Sequence, residues 1–201
     1  MRAKLLVSLF FLGSVVLTVT LADDPPSQPP EGWKEYTPST KVFSVWLPNG
    51  GKRSERTRDI AFGTAKLKLS LVQQENDKGT FTAGQVALPV AKGKKIDSNT
   101  AIEAFRDGFL KHDGGKVTSE SDIKLGKMSG KEYKIEMEKD QYATLRLYHA
   151  GPRIYQVSFI GTKEQVENES TKLFLDSFKH QGMVKDEELQ KAKDKDKDKD
   201  K

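Results

Sequence analysis

The sequence contains no cysteine and only three histidines. Without cysteine there is no disulfide framework, zinc-thiolate site, iron–sulfur cluster, thiol nucleophile or thiol-linked lipid anchor. The histidines, His112, His149 and His180, stand far apart, and none belongs to an H-E-x-x-H or H-x-x-E-H run of the kind that binds zinc. Aromatic residues are few, at 8%, and they are not interleaved with the basic clusters as a single-strand nucleic-acid platform requires. Beyond the N-terminus there is no long hydrophobic run.

The two ends distort the average composition. Arg2 and Lys4 precede an apolar stretch from Leu5 to Leu21, and Asp23-Asp24-Pro25-Pro26 follows abruptly. A basic start, an apolar middle and Thr20-Leu21-Ala22 at the boundary predict a secretory signal peptide over Met1–Ala22, cleaved after Ala22. The alternative is an uncleaved anchor, for which the apolar stretch lies at the short limit. Asp23–Gly32 carries Pro25, Pro26, Pro29 and Pro30 and is expected to be an extended linker. A single α+β domain is expected over Trp33–Gly182. Lys and Asp alternate without exception from Lys193 to Lys201. Neither a helix nor a strand gives that pattern anything to bury, so 183–201 is expected to be a disordered tail.

With the ends set aside, the overall charge of +5 falls to about +3. That is too little for a dedicated nucleic-acid binder. The hydrophobic fraction falls from 35% to about 31% once the leader is removed, so a core has to come from patterning.

The patterning is present. Strands are predicted at Val42–Leu47, ended by the turn Pro48-Asn49-Gly50-Gly51, at Ala65–Leu71 and at Thr80–Val90. Tyr133, Ile135 and Met137 alternate with charge within Lys131–Glu138. Ala143, Leu145 and Leu147 do so within Tyr142–Tyr148, as do Tyr155, Val157 and Phe159 within Arg153–Ile160. Short links at Lys139-Asp140 and His149–Pro152 predict an antiparallel meander. Two helices are predicted. Asn99–His112 opens on a Thr100/Glu103 capping box, and Lys163–His180 opens on Thr162/Gln165 and stops at Gly182. Such an order gives an α+β fold, an antiparallel sheet with helices packed on it and one face partly wet.

Certain motifs resemble the PsbP and DcrB-like superfamily of exported domains. They are Trp33-x-x-Tyr36, Phe43-Ser44-Val45-x-Leu47-Pro48, Gly130-Lys131-Glu132-Tyr133, Arg146-x-Tyr148, Arg153-x-Tyr155-Gln156-Val157 and Phe174-Leu175-Asp176-Ser177-Phe178. The resemblance spans about Trp33 to His180. It implies an antiparallel sheet between helices in α/β/α layers. It also implies a mostly non-enzymatic role, as in extrinsic subunits of photosynthetic complexes and small lipoproteins. No photosystem-specific signature is present, and the lipoprotein cysteine is absent.

Candidate chemistry is sparse. Gly126-Lys127-Met128-Ser129-Gly130 has the wrong spacing for a nucleophile elbow, and its serine is expected in a β-turn. His112 and His180 are placed at helix ends, where the dipole favours a cation. Asp194-x-Asp196-x-Asp198 lacks the glycine and closing glutamate of a calcium loop. Asn168-Glu169-Ser170 fits a glycosylation sequon but falls inside a predicted helix. Basic clusters remain: Lys52, Arg53, Arg56 and Arg58; Lys66 and Lys68; and Lys92, Lys94 and Lys95. The candidates for binding an anion or a partner are Lys92, Lys94, Lys95, Arg53 and Arg56, set against ordinary solvated charge. Trp46 falls on the strand face opposite Phe43, Val45 and Leu47. Either both faces are covered, one by each helix, or Trp46 lies exposed in a binding surface. The layers implied by the resemblance favour cover.

The expectation is an exported, non-catalytic binding or assembly module of the cell envelope, periplasmic or extracellular, with no cofactor and no metal. Its partner would be an envelope protein or an anionic polymer. Nucleic acid is not expected, and a membrane only if the leader is retained. The alternative is an envelope-polymer hydrolase, which needs a pocket with paired carboxylates or a His–acid pair.

Overall fold

The computed structural model describes residues 28–89 and 96–181. The signal peptide, most of the linker, Lys92, Lys94, Lys95, Gly182 and the Lys/Asp tail lie outside the described residues. Backbone contacts begin before Trp33, since Trp33 N donates to Pro30 O at 3.0 Å and Asn49 N donates to Gly32 O at 2.7 Å.

In chain order the elements are β1 (Trp33–Tyr36), β2 (Phe43–Pro48), β3 (Lys52–Phe62), β4 (Ala65–Asn76), β5 (Gly79–Ala87), α1 (Ser98–Asp113), β6 (Lys116–Leu125), β7 (Met128–Glu136), β8 (Tyr142–Ala150), β9 (Arg153–Gly161), α2 (Lys163–Glu167), α3 (Glu169–Asp176) and β10 (Lys179–His180). A seven-stranded antiparallel sheet runs β3-β4-β5-β9-β8-β7-β6, and a three-stranded sheet runs β1-β2-β10. The fold is α+β, as the alternation of the last three long strands implied.

That alternation sets the meander β7-β8-β9. Lys139 and Asp140 both take positive φ, at 58° and 56°. Positive φ at both central residues makes a turn whose twist suits an antiparallel pair. Gly151, with φ of 56°, makes the next turn between Ala150 and Arg153.

The large sheet buries both faces. On one, Val72, Phe81, Ala83, Tyr155, Val157 and Phe159 meet Phe43, Val45 and Leu47 of β2 and Val166, Phe174, Leu175 and Phe178 of the C-terminal segment. Phe81 lies at its centre, with ring centroids 6.2 Å from Trp33, 4.8 Å from Phe159 and 5.2 Å from Phe174, all edge-on. Each such pair adds about 0.5–1.5 kcal/mol beyond area burial. On the other face, Ile60, Leu69, Leu71, Tyr133, Ile135, Leu145 and Leu147 pack with Ile102, Phe105 and Phe109 of α1. The expected wet face is therefore corrected for the central strands. Along β9, Ile154 to Phe159 are all buried. Buried Gln156 donates to the Ser158 hydroxyl at 2.9 Å within that strand.

Several expectations change. Lys52–Phe62, which carries the first basic cluster and for which no element is predicted, is the sheet's edge strand β3, and Lys116–Leu125 is the opposite edge, β6. The cap of α1 is Asp97, whose Oδ1 accepts from Thr100 N at 2.9 Å, in place of the Thr100/Glu103 box. The Thr162/Gln165 capping box is present. The helix it opens ends at Glu167, however, because the Asn168 side chain accepts from Thr171 N and starts α3 afresh. His180 is consequently not at a helix end. It sits on β10, paired with Phe43, its ring edge-on to Tyr155 at 4.9 Å. Ser129 is the second residue of β7 and not in the turn.

Trp46 is 2% exposed, so it is covered. The cover is not one helix on each face of its strand. Trp46 N donates to Ser177 Oγ at 2.8 Å, and Lys179 Nζ stands 5.7 Å from the ring centroid. The segment after α3 closes over it.

Candidate functional site

An open cleft of about 250 Å³ lies where the β1–β2 connection meets the edge strand β3. Pro38, Ser39, Thr40 and Phe43 form one wall. Glu55, Arg56, Thr57 and Ser70 belong to the other. Its one carboxylate is Glu55, which accepts from the Tyr36 hydroxyl, from Ser39 N at 3.1 Å and from Ser39 Oγ at 2.6 Å. The Ser39 and Tyr36 hydrogen bonds hold the Glu55 carboxyl below the usual carboxylate range. Burial, and then the bond to Glu55, push the Tyr36 hydroxyl up. Glu55 is thus a fixed anion that anchors a loop, unlike a carboxyl tuned upward to deliver protons.

The structure divides the basic cluster of β3. A strand's side chains alternate between faces. Arg53 and Glu55 point to the side of β1, where the Arg53 guanidinium lies 4.5 Å above the Tyr36 ring. Lys52, Arg56 and Arg58 belong to the face that bears α1. Arg58 is consumed there in a two-pronged bond to Asp113 at the end of α1, at 3.0 and 2.8 Å. Arg56 donates to the Gln73 side chain. Lys68 pairs with Asp59 at 2.6 Å. Both partners are exposed, so the pair adds little. Lys52, Arg53 and Arg56 remain exposed, with no acidic partner among the described residues. Their convergence with Lys92, Lys94 and Lys95 falls outside the described residues.

Sequence reading missed three polar assemblies. The Tyr36–Ser39–Glu55 contact joins residues too far apart for any local motif. Arg146 of β8 donates to Glu132 of β7 and to Asp176 of α3, each at 2.6 Å. Burial raises Glu132's pKa, but the Arg146 bond outweighs it and the carboxyl is held low. The Ser98 hydroxyl meets His149 Nδ1 at 2.8 Å, joining the start of α1 to the end of β8. His149 Nε2 has no hydrogen-bond partner among the described residues. Among the described residues no carboxylate hydrogen-bonds that nitrogen, the contact that would orient the ring as a base for Ser98. Among the described residues no group of three His, Asp or Glu is placed to hold a metal, and no helix is long and apolar enough to cross a membrane.

No protein-family model matches the chain, and no curated protein matches it. Solved structures do. The solution structure of cyanobacterial PsbP (CyanoP) from Synechocystis sp. PCC 6803 aligns over 77% of this chain and 96% of that one, with a TM-score of 0.50 and 8% identity. The chain has a PsbP-like fold. The likeness matches the family resemblance carried by the Trp33–Tyr36 opening and the Phe174–Phe178 close. At this identity it concerns architecture alone. The PsbP-like sheet leaves β3 and β6 as its two edges, and the cationic cleft side is on the first of them.

Proposed function

We infer that the chain is an exported, non-catalytic binding or assembly module of the cell envelope that contacts a partner protein or an anionic polymer. The observation carrying this is the first half of β3. From Lys52 to Thr57 every residue is exposed, while the paired strand β4 is buried at Leu71, Val72 and Gln74. Three cations, Lys52, Arg53 and Arg56, stand on that exposed stretch with no ion pair among the described residues. Cationic groups grouped on one exposed element attract anionic surfaces and speed encounter with them. The hydrophobic leader at Met1–Ala22 supports export, and the fold it shares with cyanobacterial PsbP supports an accessory role. Lys92, Lys94 and Lys95 belong to the same reading by their sequence.

The test is retention of the exported chain on a dextran sulfate matrix in a salt gradient. Replacing Lys52, Arg53 and Arg56 with glutamine is expected to lower the eluting salt concentration, and replacing Lys92, Lys94 and Lys95 to lower it further. Unchanged elution of both variants would defeat the reading.

A further inference from the structure

The two edges of the large sheet differ in kind. β6 is blunted. Its register with β7 shifts between Val117 and Ser119, and its acids are engaged, Glu120 with Lys131 and Arg106 and Asp122 with Lys131. Bulges and charges of this sort are how edge strands are kept from pairing with other chains. β3 has no such interruption. Its eleven residues pair with β4 in unbroken register, from Lys52 with Glu75 to Phe62 with Ala65. Among the described residues no strand pairs with its outer side, so one row of backbone N–H and C=O groups faces outward.

The charges on β3 are also of a different sort. Glu55 is taken up by Tyr36 and Ser39, Asp59 by Lys68 and Arg58 by Asp113. The β3 side chains with no ion pair among the described residues are Lys52, Arg53, which lies over the Tyr36 ring, and Arg56, which donates to Gln73, all positive. Such an edge repels a second copy of itself and any basic strand. It favours an acidic one, because like charges opposed across strands are unfavourable and opposite charges favourable.

We propose that β3 is a docking edge for an extended acidic peptide segment of a partner protein, which adds to the sheet as an eighth strand. This rests on the reading of β3 as the binding surface and narrows its partner from an anionic body in general to a polypeptide strand. Backbone hydrogen bonds supply the register, and carboxylates beside Lys52, Arg53 and Arg56 supply the selection. The far end of the edge, Ala61 and Phe62, is half-buried and apolar, so the fitting segment is acidic at one end and apolar at the other.

The experiment uses the full chain and a synthetic peptide as long as β3, glutamate-rich in one half and valine-rich in the other, with binding read by fluorescence anisotropy. A second peptide of identical charge is N-methylated at consecutive central residues, which spoils both of its edges. The unmodified peptide is expected to bind at least about tenfold more tightly, which is about 1.4 kcal/mol. Hydrogen exchange is expected to show new amide protection on β3. Replacing Lys52, Arg53 and Arg56 with glutamine is expected to weaken binding by a similar factor. Equal binding of the two peptides, or protection on β6 instead of β3, overturns strand addition while leaving the cationic surface standing. Retention on dextran sulfate with no binding of either peptide does the same. Loss of both peptide binding and matrix retention defeats the broader reading as well.

Discussion

Arg146 ties Glu132 to Asp176: its Nε donates to the first carboxylate and its Nη1 to the second, each at 2.6 Å. Glu132 is on β7 and Asp176 on the last turn of α3, so one guanidinium fastens the C-terminal helix to the meander. The Arg146 and Glu132 side chains are only 16% and 18% exposed. Burial by itself lowers an arginine's pKa, but here the two carboxylates outweigh it and the guanidinium is held more firmly charged than usual. Arg146→Ala strands the Glu132 carboxylate in a half-buried place. We expect a loss of about 2 kcal/mol in urea unfolding, below the full cost of a wholly buried pair. Arg146→Met together with Glu132→Leu removes the half-buried pair and leaves Asp176 at the exposed end of α3, and is expected to recover most of it.

Gly108 marks the closest approach of α1 to β3. A Cβ there would stand 2.0 Å from the Ala61 carbonyl oxygen. On an exposed helix, glycine to alanine gains about 1 kcal/mol of propensity. Here the added methyl pushes the helix off the strand, so Gly108→Ala is expected to cost about 2 kcal/mol net. The change should appear as a lower urea midpoint with native-like far-ultraviolet circular dichroism.

Trp46 is sealed by Ser177 and Lys179, whereas Trp33 is only half-buried. A Trp33→Phe variant therefore isolates Trp46. Its emission is expected to be strongly blue-shifted from free indole and resistant to acrylamide quenching. Emission near that of free indole would contradict the closure of the C-terminal segment over β2.

His180 couples stability to pH. Burial holds its imidazole below the ordinary value of 6.5, and the charge of Arg153 adds to this. The unfolded chain therefore takes up a proton at higher pH than the folded chain. Stability is complete above the ordinary histidine range and falls as pH drops below it. His180→Phe keeps an aromatic ring against Tyr155 and is expected to flatten the urea midpoint between pH 7 and pH 5.

The meander and α1 were legible because each buries one periodic stripe, and periodicity is what burial writes into a sequence. β3 and β6 were not, for the same reason inverted. Lys-Arg-Ser-Glu-Arg-Thr-Arg carries no apolar alternation because neither face of that stretch is buried. β6, with most of its residues exposed, carries as little. The second helix was misread as unbroken because Val166, Phe174 and Phe178 continue one stripe across Asn168, and the competition of an asparagine side chain for a backbone N–H leaves no mark on hydrophobicity. The candidate site was legible in part. Arg53 and Arg56 were found as a cluster by their proximity in sequence, but the two-residue period of a strand sets them on opposite faces. Glu55 between them is held by Tyr36 and Ser39, partners that no local pattern in the sequence marks.

The pairing of β2 with β10 imposes an order of events on the chain as it is made. β2 emerges early, with Phe43, Val45, Trp46 and Leu47 all needing cover, and its cover includes Phe178, Ser177 and Lys179 near the end of the domain. Contacts so distant in sequence form slowly and late. Until residue 180 is present, the first core lacks Phe178 and the β2–β10 pairing. A polypeptide wired in this way completes the cover of β2 only once β10 has joined it.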